Sequence, residues 1–149
     1  MIRRSSIHLP VLRRLIAHPF REVFRDDRRV WRGADILAAT MHIAEAIENN
    51  CRTETVGLLI PTSGLFAPAA LAGWMTGRVV VPLNYLLRRG ELEHVIRDCD
   101  TDTVLTIGQM IDYIGFTPNV ENVIRLEELH YKSPPPPRWP AMKTPDDLA

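Results

Sequence analysis

Residues 56–107 read VGLLIPTSGLFAPAALAGWMTGRVVVPLNYLLRRGELEHVIRDCDTDTVLTI, and this stretch decides the fold. Val56–Ile60 is a short, continuously apolar run, the pattern of a strand covered on both faces. Pro61-Thr62-Ser63-Gly64 breaks it as a loop. Leu65–Thr76 then predicts a helix, and its small residues Ala67, Ala69, Ala70, Ala72 and Gly73 let its backbone lie close to a sheet. Gly77 suits a left-handed helix C-terminal cap. Arg78–Leu83, with Val79, Val80 and Val81, predicts a second strand. The helix Gly90–Cys99 carries Leu92, Val95, Ile96 and Cys99 at helical spacing, with Glu91 and Glu93 in its first turn. Thr103–Ile107 is a third buried strand. Strand, helix, strand, helix, strand in short apolar segments predicts βαβ crossovers, so the expected class is α/β with a mostly parallel sheet.

Working outward, residues 21–32 predict a hairpin, Glu22–Phe24 and Arg29–Trp31 flanking Asp26-Asp27. A helix follows from about Ala34 to Asn49, with Ile36, Leu37, Thr40, Ile43, Ala44 and Ile47 on its apolar side. Downstream, a short helix around Gln109–Ile114 and a last strand near Asn122–Leu126 complete the pattern. Residues 133–140 contain four consecutive prolines, Pro134–Pro137, and predict an extended polyproline-type spacer, which could also recruit an aromatic-grooved module. The organisation is therefore a basic amphipathic helix over 1–20, an α/β unit over 21–130, and a proline-rich linker over 131–149.

At 149 residues the chain can bury one core. It is 46% hydrophobic and 24% charged, ordinary for a globular protein. The longest apolar stretch, Leu65–Met75, is interrupted by Pro68 and falls short of the roughly 18 residues a membrane span needs. The cytoplasm is the expected compartment, with a peripheral membrane contact through residues 3–21 as an added expectation. Net charge is zero, but residues 1–32 hold nine arginines against Glu22, Asp26 and Asp27, a net of +6 balanced by −6 in the remainder. Such a front end can meet anionic lipid or phosphate, or simply be a solvated face. Met1–Arg21 also has the arginines and serines of an organelle transit peptide, but an amphipathic first helix, with Val11, Leu12, Leu15 and Ile16 on one face, explains it as well.

Cys51 and Cys99 have no metal-type spacing and are expected to be reduced, Cys99 as a small core residue. His8, His18, His42, His94 and His130 are scattered; His42 and His94 are expected to face solvent or cap neighbours. Ser63 stands in T-S-G, not in a hydrolase elbow, and is expected to cap the following helix. Asp98, Asp100 and Asp102 alternate near a strand entrance without the glycine and distant glutamate of a calcium loop, so turn roles are expected. The loop after Ile60 lacks G-x-G-x-x-G, and no G-x-x-x-x-G-K-[ST] occurs. No residue is assigned a catalytic, cofactor-binding or metal-binding role.

The order of these pieces resembles the N-terminal region of the AMP-binding, adenylate-forming superfamily. Pro61 and Ser63 match its Pro-x-Ser after an apolar strand, Gly77 closes its helix, Val79–Asn84 match its Val-rich strand ending Pro-Leu-Asn, and Glu91-Leu92 match its following helix. Arg29–Ile47 is similar to its strand-then-helix opening, although Trp31-Arg32-Gly33 departs from the usual Thr-Tyr. Thr144-Pro145-Asp146-Asp147-Leu148-Ala149 resembles the lead-in to its Ser/Thr/Gly-rich phosphate loop. The resemblance implies an acyl-CoA synthetase of the fatty acid–CoA ligase kind, truncated before that loop and inactive alone. ATP, Mg²⁺ and CoA are implied for the full-length enzyme and none for this part. The implied partner is the remainder of its own polypeptide; self-association through Trp74 or Tyr85–Leu87 is a further expectation, and nucleic acid is not expected. Two other readings stand beside it: a free-standing α/β interaction module, and the front of an adenylation domain that loads a carrier protein.

Overall fold

A computed structural model describes residues 6–135 and 137–142; Arg3, Arg4, Pro136 and the lead-in segment 144–149 lie outside the described residues. The chain opens with α1 (His8–Ala17), then the hairpin β1 (Glu22–Arg25) and β2 (Val30–Arg32), then α2 (Gly33–Asn50). The α/β unit follows as β3 (Thr55–Leu59), α3 (Phe66–Met75), β4 (Val79–Pro82), α4 (Arg89–Asp98), β5 (Thr103–Thr106), α5 (Gly108–Ile114) and β6 (Asn122–Arg125). The four strands β3 to β6 form one parallel sheet in the order β4-β3-β5-β6, and β1 pairs β2 antiparallel. The α/β class and the parallel sheet expected from the central segments are therefore present.

Apolar residues on both sides of each strand give the sheet two covered faces. One core joins Ile43, Ala44 and Ile47 of α2, Ala69 and Ala72 of α3, and Val56 and Leu58 of β3. The other joins Leu59, Val104 and Leu83 to Leu92 and Ile96 of α4 and Met110 of α5. Small residues on α3 do what their spacing suggests: a Cβ on Gly73 would stand 2.5 Å from Val80 Cγ2, so helix and strand touch backbone to side chain there. Gly77 adopts φ 73°, the left-handed cap that ends the helix.

The amino end of the sheet is braced shut. Asp102 accepts from Arg52 N (2.9 Å), Thr53 Oγ1 (3.1 Å) and Thr103 Oγ1 (2.8 Å). Arg78 donates to the carbonyls of Thr53 and Cys51, and Thr55 Oγ1 donates to Cys99 O. Desolvation works against the Asp102 carboxylate, but the hydrogen bonds from Arg52 and the two threonines hold it below its ordinary value. Cys51 is buried, its thiol pushed up by desolvation, Cys99 is half-buried, and neither is in a disulfide.

Four expectations need correcting. On α1, Leu12 and Leu15 are buried with His8, but Val11 is 39% and Ile16 65% exposed, because the helix packs through one narrow seam with i, i+4, i+7 spacing. His42 does not face solvent: it is buried, donates Nε2–H to Ser133 O at 3.1 Å and meets Tyr131 edge-on. The proline-rich tail is no free spacer over its described residues. Arg138 pairs with Glu45 and Glu48 of α2, Ala141 N donates to Met75 O at 2.7 Å, and His8 Nε2 donates to Ala141 O at 3.1 Å. The tail is thus strapped across α2 to the ends of α3 and α1. Burial pushes the His8 imidazole below its ordinary value. Trp74, expected on an open face, is half-buried against the core; of Tyr85–Leu87 only Leu86 is exposed, at 70%.

Candidate functional site

In a parallel sheet the strands diverge where successive connections leave for opposite sides, and ligands gather at the carboxyl ends there. Here the strand after β3 lies to one side and the strand after β5 to the other, so the divergence falls between β3 and β5. A crevice of about 630 Å³ opens at this point, within the range of small-molecule sites. Its walls are the loop Pro61–Leu65 after β3, Ile107–Gln109 after β5, the hairpin tip Asp26–Arg29 with Trp31, and Glu127. Thr106 Oγ1 donates to Leu59 O at 2.8 Å and ties the two strands together at the floor.

The hairpin is latched over this crevice by one carboxylate. Asp26 Oδ1 accepts from Arg28 N and Arg29 N, both at 2.9 Å, and Oδ2 accepts from Trp31 Nε1 at 2.8 Å. The Trp31 bond leads the backbone amides, including that of Gly64, in lowering the Asp26 carboxyl to about 2. Trp31 is itself buried, stacks on Phe24 and lies under the Arg29 guanidinium at 3.6 Å. Gly64 is required by this contact, since a Cβ there would collide with Trp31 Nε1 and the Asp26 carboxylate. Across the opening, Arg28 donates to Gln109 Oε1 at 2.9 Å.

Could these groups hold a nucleotide's phosphates? One backbone amide well placed for it, Gly108 N at the start of α5, is already taken by the Glu127 carboxylate, and the Asp26 carboxylate lines the same crevice. A phosphate entering there would meet two negative charges, and one of the two arginines, Arg29, lies over Trp31. Among the described residues no group of three His, Cys, Asp or Glu side chains could hold a metal ion. The residues present do not fit a magnesium–nucleotide complex.

Of the residues singled out in the sequence, only Ser63 lies in the crevice. It does not cap: Leu65 precedes α3 with no side-chain cap, and Ser63 Oγ is buried without a partner among the described residues. It is the Ser63 backbone carbonyl that accepts, from Phe66 N at 3.0 Å. His42 and His130 line a smaller hollow of about 290 Å³ on the α2 side, and His94 is exposed elsewhere. Asp102 is at the opposite end of the sheet, while Asp98 closes α4 and Asp100 turns with φ 49°. Sequence reasoning missed Asp26, Gln109 and Glu127. Asp26 could have been found from its place two and three residues before the amides it binds, the spacing of an Asx turn.

A family model described as "AMP-binding enzyme" matches residues 13–148. No curated protein matches the sequence. Among solved structures, a nonribosomal peptide synthetase in its AMPPNP-bound form is similar over 99% of this chain and 16% of its own, at 17% identity and a TM-score of 0.84. An anthranilate CoA ligase in complex with anthranoyl-AMP is similar over 98% of this chain and 31% of its own, at 18% identity and a TM-score of 0.79. A fatty acyl-adenylate ligase from L. pneumophila, in complex with acyl adenylate and pyrophosphate, is similar over 84% and 24%, at 20% identity and a TM-score of 0.67. At these identities the likeness establishes the fold. The chain spans less than a third of the length of each of these three proteins.

Proposed function

The chain belongs to the AMP-binding enzyme family, and from that premise we propose that it is the N-terminal scaffold of an ATP-dependent acyl-CoA synthetase and binds no nucleotide by itself. In the whole protein a carboxylate oxygen would attack the α-phosphorus of ATP, forming the acyl–phosphate bond and releasing pyrophosphate. The CoA thiol would then attack the acyl carbon, its proton lost and AMP leaving. Fatty or other aliphatic acids are the proposed substrates. The observation that carries the scaffold reading is the pairing of Gly108 N with the chain's own Glu127, on a crevice that the Asp26 carboxylate also lines. Phosphate handling then falls to residues outside this chain. The work of Asp26, Trp31, Arg28 and Gln109 is to hold the hairpin across the carboxyl edge, giving the rest of the enzyme a fixed surface.

Calorimetry of the 149-residue chain with Mg-ATP tests this. No binding heat and no ATP–pyrophosphate exchange are expected, and robust exchange would overturn the proposal. A second reading is the front of an adenylation domain that loads a carrier protein, favoured by the near-complete overlap with a peptide synthetase. Supplying the chain together with its downstream residues with carboxylate, ATP and either CoA or a carrier protein separates the two. Free acyl-CoA supports the first reading; thioester on the carrier alone supports the second.

A further inference from the structure

We propose that α1 and the turn into β1 form a docking face for an anionic lipid bilayer, an interaction independent of what the carboxyl edge binds. Helix α1 buries only the His8, Leu12, Leu15 seam. Outside that seam, Leu9, Arg13 and Ile16 follow one another at i, i+4 and i+7, and Phe20 extends the row just beyond the helix end. Ile16 is 65% and Phe20 84% exposed, large apolar side chains held in water. A bulge in β1, where Glu22 pairs with Arg32 and Phe24 with Trp31, leaves Val23, three residues after Phe20, unpaired and half exposed.

Charge identifies the occupant. Arg13, Arg14 and Arg21 are exposed, make no ion pair among the described residues, and residues 6–21 contain no Asp or Glu. Arginine stems lie along apolar surface while their guanidinium groups reach phosphate, the arrangement of an interfacial helix. Arg13, Arg14 and Arg21 therefore give this face a charge of +3, which a negative surface attracts. A nucleic acid would reward the arginines but leave Ile16, Phe20 and Val23 in water. A bilayer satisfies both sets.

Sedimentation of the 149-residue chain with vesicles tests the assignment. The chain should pellet with phosphatidylcholine vesicles containing about a third phosphatidylserine, should stay in solution with pure phosphatidylcholine, and should be released by about 1 M salt. Replacing Arg13, Arg14 and Arg21 together by Gln should weaken partition about a hundredfold, at about fivefold for each near-surface arginine. Phe20→Ser should weaken it about tenfold, from the loss of one buried aromatic side chain, and Ile16→Ser should act in the same direction. All five side chains are exposed, so far-UV circular dichroism should be unchanged. Failure to pellet with the anionic vesicles, pelleting that ignores phosphatidylserine, or partition insensitive to Phe20→Ser and Ile16→Ser would overturn the proposal. So would duplex RNA binding that competes fully with vesicles and survives Phe20→Ser.

Discussion

The two ends of the parallel sheet use the same residue types to opposite effect. At the amino end, Asp102 gathers an amide and two hydroxyls while Arg78 ties down two carbonyls, and the strand entrances become one closed network. At the carboxyl end, Asp26 takes the amides of its own turn and Glu127 takes that of Gly108, around an opening of about 630 Å³ where the Ser63 hydroxyl has no partner among the described residues. Closed networks at one end of a sheet and loop-built openings at the other are how α/β folds separate stability from chemistry. The contrast predicts that substitutions at the amino end unfold the protein, and that those at the carboxyl end loosen one hairpin.

The largest effect is expected at the closed end. Asp102→Ala removes the acceptor of Arg52 N and of the buried Thr103 hydroxyl and one of two acceptors of the Thr53 hydroxyl, and should destabilise the chain by about 3 kcal/mol in urea melts. A cost no greater than an ordinary surface substitution would break the comparison. At the open end, Gly64→Ala drives a methyl group into the Trp31–Asp26 contact. It should cost about 2 kcal/mol, as overpacking does, and Trp31 emission should shift red as the hairpin lifts. Equal loss of far-UV signal and of hairpin contacts would mean that the hairpin and the sheet unfold as one unit.

Much of this division was legible in the sequence, and the reasons are specific. Strands β3, β4 and β5 are short apolar runs broken by Pro61, Gly77 and the Asp98–Asp102 bend, so their existence and parallel arrangement followed from local pattern. The tail was misread because four consecutive prolines describe local backbone stiffness and say nothing of Arg138 reaching Glu45 and Glu48, some ninety residues earlier. His42 was misread for the same reason, its partner Ser133 being 91 residues away. The crevice depends on pairs such as Arg28–Gln109 and Gly108–Glu127, which join segments with no sequence period to announce them.

Acidification should open the carboxyl-end latch. The Asp26 carboxyl has its folded value near 2, below the ordinary 3.8, so its contribution is complete above about 3.8 and is lost as pH falls through 2. Trp31 fluorescence should therefore change over that interval, and Asp26→Asn should abolish the step. A transition that persists in Asp26→Asn would place the responsible carboxylate elsewhere, Asp102 being the first to examine because it too is held low.

The smallest expected effect separates the two ends most sharply. A hydroxyl that caps a helix contributes about 1 kcal/mol, so a capping Ser63 would make Ser63→Ala destabilising. The Ser63 hydroxyl instead lies buried beside the crevice with no acceptor among the described residues, and its desolvation is uncompensated there. Replacing it with a methyl group removes that burden, and Ser63→Ala should leave stability unchanged or raise it by a few tenths of a kcal/mol. Thr103→Ala at the closed end offers the matched control. Its hydroxyl is also buried but donates to Asp102 at 2.8 Å, so its removal should cost about 1 kcal/mol. If the two substitutions cost the same, the carboxyl end holds its serine as tightly as the amino end holds its threonine, and the open edge is closed by a contact of equal strength.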